Sequence, residues 1–463
     1  MEPSWGSAVP GWGSRVNVVD LILFTLNKSP FTSFPRRRES SLFKSIWTQD
    51  FARDDGTEQH PVHHISSIGF QGQPLSRPIV QRPALKKNLG SLGGKTDFNK
   101  ESKAMEKIKG LILSGGKGTR MRPITYTRAK QLIPIANKAN LVYVVEDLVA
   151  AGIEDIGVII SPETGDEVRS ALGDGSQWGA HLTFIEQAQP LGLAHAVMTA
   201  REFLGLSPFL MYLGDNLLSG GIAHLVSEFQ ESSPASIVLL TPVDNPAQFG
   251  VAELDTQGNV VRLVEKPKNP PSNLALVGVY LFDPVIHDVI SHLQPSRRGE
   301  YEITDAIQGL IDLKLTVLAH KVRGWWKDTG RPEDLLDANR LVLSTIERNV
   351  AGQTDGSEVV GEVVVEEGAS VVRSTVRGPV HIAAGARIQD SYIGPYTSIG
   401  RHVQVVDSEV EYSILMDNAQ VHNLPYRLDL SIIGQSVRVE GGGNRHRKHT
   451  LQLVLGDQSQ VKL

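Results

Sequence analysis

Between residues 363 and 410 the apolar side chains of this chain fall on a grid with a constant step of seventeen. Val365, Ile382 and Ile399 form one column, Val371, Ile388 and Val405 a second, and Val376, Ile393 and Val410 a third. Ser374, Ser391 and Ser408 keep the same step, each two residues before the third column. Within one turn the spacings are six, five and six. An ordinary sheet gives a period of two, but not three columns in register. Short strands arranged three to a coil, coil stacked on coil, give this pattern, so residues 354–440 are expected to form a parallel β-helix. The pattern weakens after Met416, returns over 431–439, and gives way to Gly441-Gly442-Gly443 and a basic tail, read as 441–463.

A chain of 463 residues has room for two or three domains. Residues 1–104 lack sustained periodicity, are rich in Ser, Pro, Arg and Gln, and read as a disordered or spurious extension. Met105 is a natural beginning, because it leads directly into a first strand. Over 105–353 apolar, β-branched runs at 156–160, 181–185, 209–213, 236–240 and 276–282 alternate with helical stretches such as 141–151, 165–172 and 192–204. This alternation predicts an α/β domain with a Rossmann-like, mainly parallel sheet and right-handed crossovers. Ligands of such sheets bind beyond the carboxyl ends of the strands.

At that place stands the stretch 109–134, KGLILSGGKGTRMRPITYTRAKQLIP. Leu111-Ile112-Leu113 reads as a buried strand, and Gly115, Gly116 and Gly118 follow at once. Glycines there let backbone N–H groups approach an anion closely. Arg120 adds a permanently charged fork, and Lys130-Gln131 a second cation ten residues on. The loop lacks the Gly-Lys-Ser/Thr ending of a phosphate loop and the third glycine of a dinucleotide fingerprint. Further along, Asp215 in Gly214-Asp215-Asn216 and Asp328 in Lys327-Asp328-Thr329-Gly330 stand in glycine-bounded turns. Each alone would be a turn cap. Together with Arg120 and Lys130 they form a set suited to attack on an α-phosphate, with a divalent cation between carboxylates and phosphates.

Composition removes other classes. The chain is 40% hydrophobic and 21% charged with a net charge of −5, which implies neither a nucleic-acid scaffold nor a membrane surface. It has no cysteine, so disulfides, thiol nucleophiles and thiolate zinc sites are excluded, and a reducing cytoplasm fits. No apolar run approaches the ~20 residues of a membrane-spanning helix. The run 16–26 is short, contains Asp20 and lacks a small-residue cleavage site, so no signal peptide is assigned.

The pattern GGxGTR(L/M)xP followed by KQLxP, carried here by 115–123 and 130–134, resembles the sugar-phosphate nucleotidylyltransferase family over residues 107 to about 345. The resemblance implies a triphosphate loop at Gly115, Gly116, Gly118, Thr119 and Arg120, a catalytic lysine at Lys130, a nucleotide contact at Gln131, and base reading by Gln187 and Gly192. It further implies magnesium ligands at Asp215 and Asp328, and sugar-phosphate contacts at Asn216, Gly250, Glu265, Lys266 and the strand that contains Val277. Position 249 is Phe where many members carry Tyr, so that hydroxyl is missing. The runs at 173–179 and 190–196 look most like those of glucose-1-phosphate thymidylyltransferases, and the appended β-helix, which resembles the left-handed hexapeptide-repeat class, looks like that of their longer type, from deoxysugar pathways. The implied reaction joins a nucleoside triphosphate, dTTP, to glucose 1-phosphate with Mg2+ and releases pyrophosphate, and a homo-oligomer without nucleic-acid or membrane partners is expected.

Three alternatives stand beside this reading. Uridylyl transfer is the nearest, because one methyl group is worth only ~1–3 kcal/mol of discrimination in an apolar pocket. Sugar acyl transfer in the β-helix would need a base among His381, His402 and His422. A non-catalytic regulatory subunit of the same fold is the third, and intact Arg120, Lys130, Asp215 and Asp328 argue against it. The β-helix is expected to pack on the catalytic domain or another subunit, and its removal to change assembly or solubility more than chemistry.

Overall fold

Leu111 and Ile112 point to opposite faces of their strand and both are fully buried, which only a central strand allows. Lys109–Leu113 accordingly pairs in parallel with Asp155–Ile160 on one side and Phe209–Leu213 on the other. The computed structural model describes residues 107–116, 118–442 and 449–463. The stretch 1–104, read above as an extension, lies outside the described residues, as does Met105.

The strand order across the sheet is Val260–Glu265, Gly250–Leu254, Leu274–Phe282, Phe209–Leu213, Lys109–Leu113, Asp155–Ile160, His181–Glu186. The four strands from Phe209 to His181 in this order are parallel, and Leu274–Phe282 reverses direction against them. Ser236–Pro242 and Val317–Lys321 complete a nine-stranded sheet. One core lies between the sheet and Asn140–Ala150 with Ala223–Ser232; the other lies on the opposite face, against Leu193–Thr199 and Ile303–Asp312. This is the mainly parallel α/β architecture that the sequence predicts.

Within the first core, the fully buried Tyr212 donates its hydroxyl to Asp147 Oδ2 at 3.0 Å. Burial raises the Asp147 carboxyl to about 6, against the lowering effect of the Tyr212 hydrogen bond. The folded state therefore holds a proton that the unfolded state releases near pH 4, and stability falls as pH rises between those values. Asp147→Asn keeps an acceptor for Tyr212 and carries no charge. It should raise the melting temperature at pH 7.5, by a contribution of at most ~3 kcal/mol, and leave it unchanged near pH 4. Thermal unfolding of both proteins at the two pH values checks this, and equal shifts at both would refute it.

From Asn349 onward the chain winds into three parallel sheets of seven, six and six strands. Their registers are the three columns of the sequence. Val365 pairs with Ile382 and Ile382 with Ile399, Val371 with Ile388 and Ile388 with Val405, Val376 with Ile393 and Ile393 with Val410. The serines form a ladder along one corner. Ser391 N donates to Ser374 Oγ at 3.1 Å and Ser408 N to Ser391 Oγ at 3.2 Å. Each hydroxyl donates in turn to the carbonyl two residues earlier in its own coil. Buried corner backbone is thereby satisfied without water. The architecture fits a left-handed β-helix.

The helix continues past residue 440. Thr450–Leu451, Val454–Leu455 and Gln460–Lys462 pair with the strands of the preceding coil, so the region read as a tail contributes a further coil. Residues 443–448 lie outside the described residues. The sequence grid misses this coil because its step is longer: Leu428 pairs with Leu451, and Ile433 with Leu455.

The β-helix packs on the catalytic domain, and the described parts of both belong to one compact unit. Met121, Ile124, Ile133, Ile135, Leu217 and Leu335 meet Ile414, Met416 and Ile432 in a separate apolar cluster. Fully buried Asn339, on the helix Pro332–Leu343, bridges the two: its Oδ1 accepts from Ala136 N at 2.8 Å and Ser398 Oγ at 2.6 Å, and its Nδ2 donates to Tyr396 O at 3.1 Å. His381 Nδ1 lies 3.1 Å from Ala136 O and Nε2 2.9 Å from Glu366 Oε1. With both ring nitrogens engaged, His381 is a structural residue of this interface.

Candidate active site

The glycine loop leaves the carboxyl end of Lys109–Leu113, with Ser114 N bonded to Ile159 O at 2.9 Å. Gly118 is left-handed, with φ of 59°, and turns the chain into the short helix Thr119–Met121. Thr125 Oγ1 donates to Gly118 O at 2.7 Å and holds the turn. A Cβ on Gly116 would stand 3.2 Å from Lys130 Cε, so the lysine lies close against the loop. Ser114 Oγ and Gln131 Oε1 are buried here without a hydrogen-bond partner among the described residues. Each costs ~1–3 kcal/mol, which ligand donors would recover.

Asp215 and Asp328 are brought together by one local pairing. Asn216–Leu218 runs antiparallel to Trp326–Asp328, with Asn216 opposite Asp328. Thr329 then donates to Asp215 O through its N–H at 3.0 Å and its hydroxyl at 2.9 Å. Lys130 Nζ is ion-paired with Asp215 Oδ2, each side chain only 14% exposed. Burial alone would push the Lys130 ammonium down, but the charge and hydrogen bond of Asp215 outweigh it and raise its pKa. The same attraction overcomes burial at Asp215 and lowers its pKa. At Asp328 the balance is reversed: burial, then repulsion from Asp215, outweigh the attraction of Lys130 and Arg120 and raise it to about 6. Arg120 completes the group, since a Cβ on Gly330 would lie 3.1 Å from Arg120 Nη2 and 3.2 Å from Asp328 Oδ1.

Two half-buried carboxylates that repel one another suit a hard divalent cation that also takes phosphate oxygens. Among the described residues no cluster of three or more His, Cys, Asp or Glu could cage a metal alone. The donor set therefore fits a cation shared with a phosphate ligand.

From Arg120 and Asp328 a cleft of about 780 Å³ opens, with Asn216, Gly250, Glu265, Lys266, Gly278 and Arg298 also on its wall. Asn216 is fixed at both ends: Trp326 Nε1 donates to its Oδ1 at 2.6 Å, and its Nδ2 donates to Asp215 Oδ1 at 3.1 Å. Glu265 Oε1 lies 3.2 Å from Arg298 Nη1 and 3.4 Å from Lys266 Nζ. Beside the glycine loop, where a Cβ on Gly115 would lie 3.4 Å from Gln187 Oε1, Gln187 contacts His195 Nδ1 at 2.8 Å and Gly192 O at 3.4 Å. Gly192 has φ of 107°, and a Cβ there would meet Tyr301 O at 2.5 Å, so no other residue fits.

Residues 109–345 match the family model described as nucleotidyl transferase. A glucose-1-phosphate thymidylyltransferase of Streptomyces griseus is 48% identical over 357 residues, covering 77% of this chain and 99% of that protein. The low-salt glycan biosynthesis nucleotidyltransferase Agl11 of Haloferax volcanii is 45% identical over 359 residues, with 77% of this chain and 100% of that protein covered. The chain belongs to the nucleotidyl transferase family. The bifunctional protein GlmU of Methanocaldococcus jannaschii is more distant, 37% identical over 330 residues, 70% of this chain and 77% of that protein.

Most residues expected from the nucleotidyl transferase resemblance converge. Arg120, Lys130, Asp215 and Asp328 share one end of the cleft, and Gly250, Glu265 and Lys266 lie beyond them. The Val277 side chain is fully buried in the sheet's first core, while its neighbours Leu276, Gly278 and Tyr280 line the cleft. Strand alternation is the reason, since adjacent residues face opposite sides. Arg298, Arg331 and Trp326 were missed. Arg298 and Arg331 sit in loops without a repeating pattern; the one available signal was position, two further cations placed beside glycine turns.

Proposed function

We propose that the protein transfers a thymidylyl group from dTTP to glucose 1-phosphate, giving dTDP-glucose and pyrophosphate. The observation that carries this reading is the joining of two sets of groups in one cleft: Arg120, Lys130, Asp215 and Asp328 at one end, Lys266 and Arg298 at the other. Relatives that match nearly their whole length and are named for this activity support it.

In the proposed reaction an oxygen of the sugar phosphate attacks the α-phosphorus in line. The new P–O bond forms as the bond from the α-phosphorus to the bridging oxygen breaks, and pyrophosphate leaves with that electron pair. Lys266 and Arg298 hold the attacking phosphate dianion, and its alignment lowers the entropic cost of the encounter. Lys130 neutralises charge that develops on the α-phosphoryl oxygens, and Arg120 that on the departing pyrophosphate. Asp215 and Asp328 would hold magnesium, which when bound neutralises phosphate charge as a Lewis acid. Gln131 and Gln187 supply amide donors and acceptors to the nucleotide, and Gln187 is oriented by His195.

Pyrophosphate release with purified protein, across dTTP, UTP, ATP, CTP and GTP and several sugar 1-phosphates, tests this directly. The highest kcat/KM is expected for dTTP with glucose 1-phosphate, and UTP should follow within about 10–200-fold, the reach of one methyl contact. No release with any pair, or a clear preference for another pair, would overturn the reading.

A further inference from the structure

The segment between Arg120 and Lys130 carries both cations of the triphosphate end, yet its outer side faces the β-helix. Met121, Ile124, Ile133 and Ile135 have their apolar side chains buried in the cluster shared with Ile414, Met416 and Ile432. At the tip of the segment Asp457, in the last coil, collects three donors. Thr127 Oγ1 donates to its Oδ2 at 3.1 Å, and Arg128 donates through Nη2 at 3.3 Å and Nε at 3.4 Å. Its Oδ1 accepts from Gln435 N at 2.7 Å, and Arg128 also donates to Gln435 Oε1. The ion pair is largely shielded, with Arg128 16% and Asp457 11% exposed. Gly456 brings the coil's backbone against Pro123, where a Cβ would stand 2.8 Å from Pro123 O.

These contacts bracket the functional groups closely. One residue, Ala129, separates Arg128 from Lys130, and it is held from the other side by Glu167, whose Oε2 accepts from Ala129 N at 2.7 Å. Thr125, two residues before Thr127, bonds Gly118 O. A shift of the tip would therefore reach the glycine loop through Thr125 and the lysine through Ala129. Displacement by ~1 Å can cost 10²-fold in a positioned reaction.

We propose that the last coil of the β-helix is a positioning element of the nucleotidyl-transfer site, with Asp457 and Arg128 as positioning residues that fix the triphosphate loop. This assigns to the β-helix a part in triphosphate binding, and it rests on the function proposed above. Asp457→Ala in the full chain should weaken magnesium-dTTP binding, measured by calorimetry, by about tenfold and raise the dTTP KM to match. The KM for glucose 1-phosphate should stay within twofold, a split that a general loss of folded protein would not produce. Arg128→Gln, altered on the loop side of the same contact, should reproduce the effect, and it carries the test if Asp457→Ala does not fold. The double variant should lose less than the sum of the two single losses, because both remove the shared Arg128–Asp457 contact. Unchanged dTTP affinity in both variants, equal losses for both substrates, or additive losses in the double variant would overturn the proposal. Absence of turnover in the unaltered protein, with magnesium-dTTP binding still measurable, would overturn the function and leave the loop's dependence on Asp457 to be read from binding alone.

Discussion

Asp215→Asn is expected to lower kcat by about 10²–10³-fold while the protein stays folded. Strands and turn around residue 215 are held by its backbone, through the two Thr329 donors, and an amide leaves these intact. What the change removes is the charge that Lys130 answers. Asp328→Asn should lower turnover to a similar degree but act oppositely on stability. Asp215 is the attracted partner of a shielded lysine, so its loss leaves a poorly solvated ammonium and should lower the melting temperature. Asp328 is raised to about 6 by burial and by repulsion from Asp215, so above pH 6 its neutralisation relieves strain and should raise the melting temperature. Steady-state kinetics and thermal unfolding at pH 7.5 read both effects. Near-normal turnover in either folded variant would remove that carboxylate from the proposed machinery, and shifts of the same sign would contradict the electrostatic account.

Ending the chain at residue 354 should abolish turnover as well as solubility. The sequence alone suggests a loss mainly of assembly, since the β-helix carries no obvious catalytic constellation. In the structure its removal strips Ile414, Met416 and Ile432 from Met121, Ile124, Ile133 and Ile135. Exposure of fully buried side chains of this size costs ~1.5–3 kcal/mol each, and four approach the whole stability of a domain. The stripped surface is the outer side of the segment that bears Arg120 and Lys130. Size-exclusion chromatography and pyrophosphate release on the shortened chain decide the matter. A soluble monodisperse fragment with unaltered kcat/KM would show that the segment holds its shape unaided.

The parts of this molecule that were legible in its sequence are those with a strict local rule. The glycine loop, its two cations and the two aspartates stand in short motifs, and the first coils repeat every seventeen residues. Legibility ended where corner lengths vary. Ile399 pairs with Leu415, Val410 with Leu428 and Leu428 with Leu451, so the step shifts to sixteen, eighteen and twenty-three while the ladder continues. A fixed-period reading turns the final coil into a tail. The interface was hidden for another reason. Met121, Ile124, Ile133 and Ile135 belong to no helix or strand long enough to show a periodic face, and the surface they meet lies about 300 residues away. Val277 shows the limit of a motif: it names a strand, and alternation decides which side chains reach the cleft.

The contact between Thr127 and Asp457 spans 330 residues of chain. Synthesis proceeds at ~5–20 residues per second, so the tip of the triphosphate segment leaves the ribosome roughly 15–60 s before its partner exists. During that interval the α/β sheet can close on local contacts, but the outer side of the segment has nothing to rest on. Coil must then be laid on coil, in order, before the last one arrives. Completion of the site is in this way tied to completion of translation. A message interrupted between codons 331 and 457 would yield a chain with every cation and carboxylate of the site but without the Asp457 contact proposed to fix its loop.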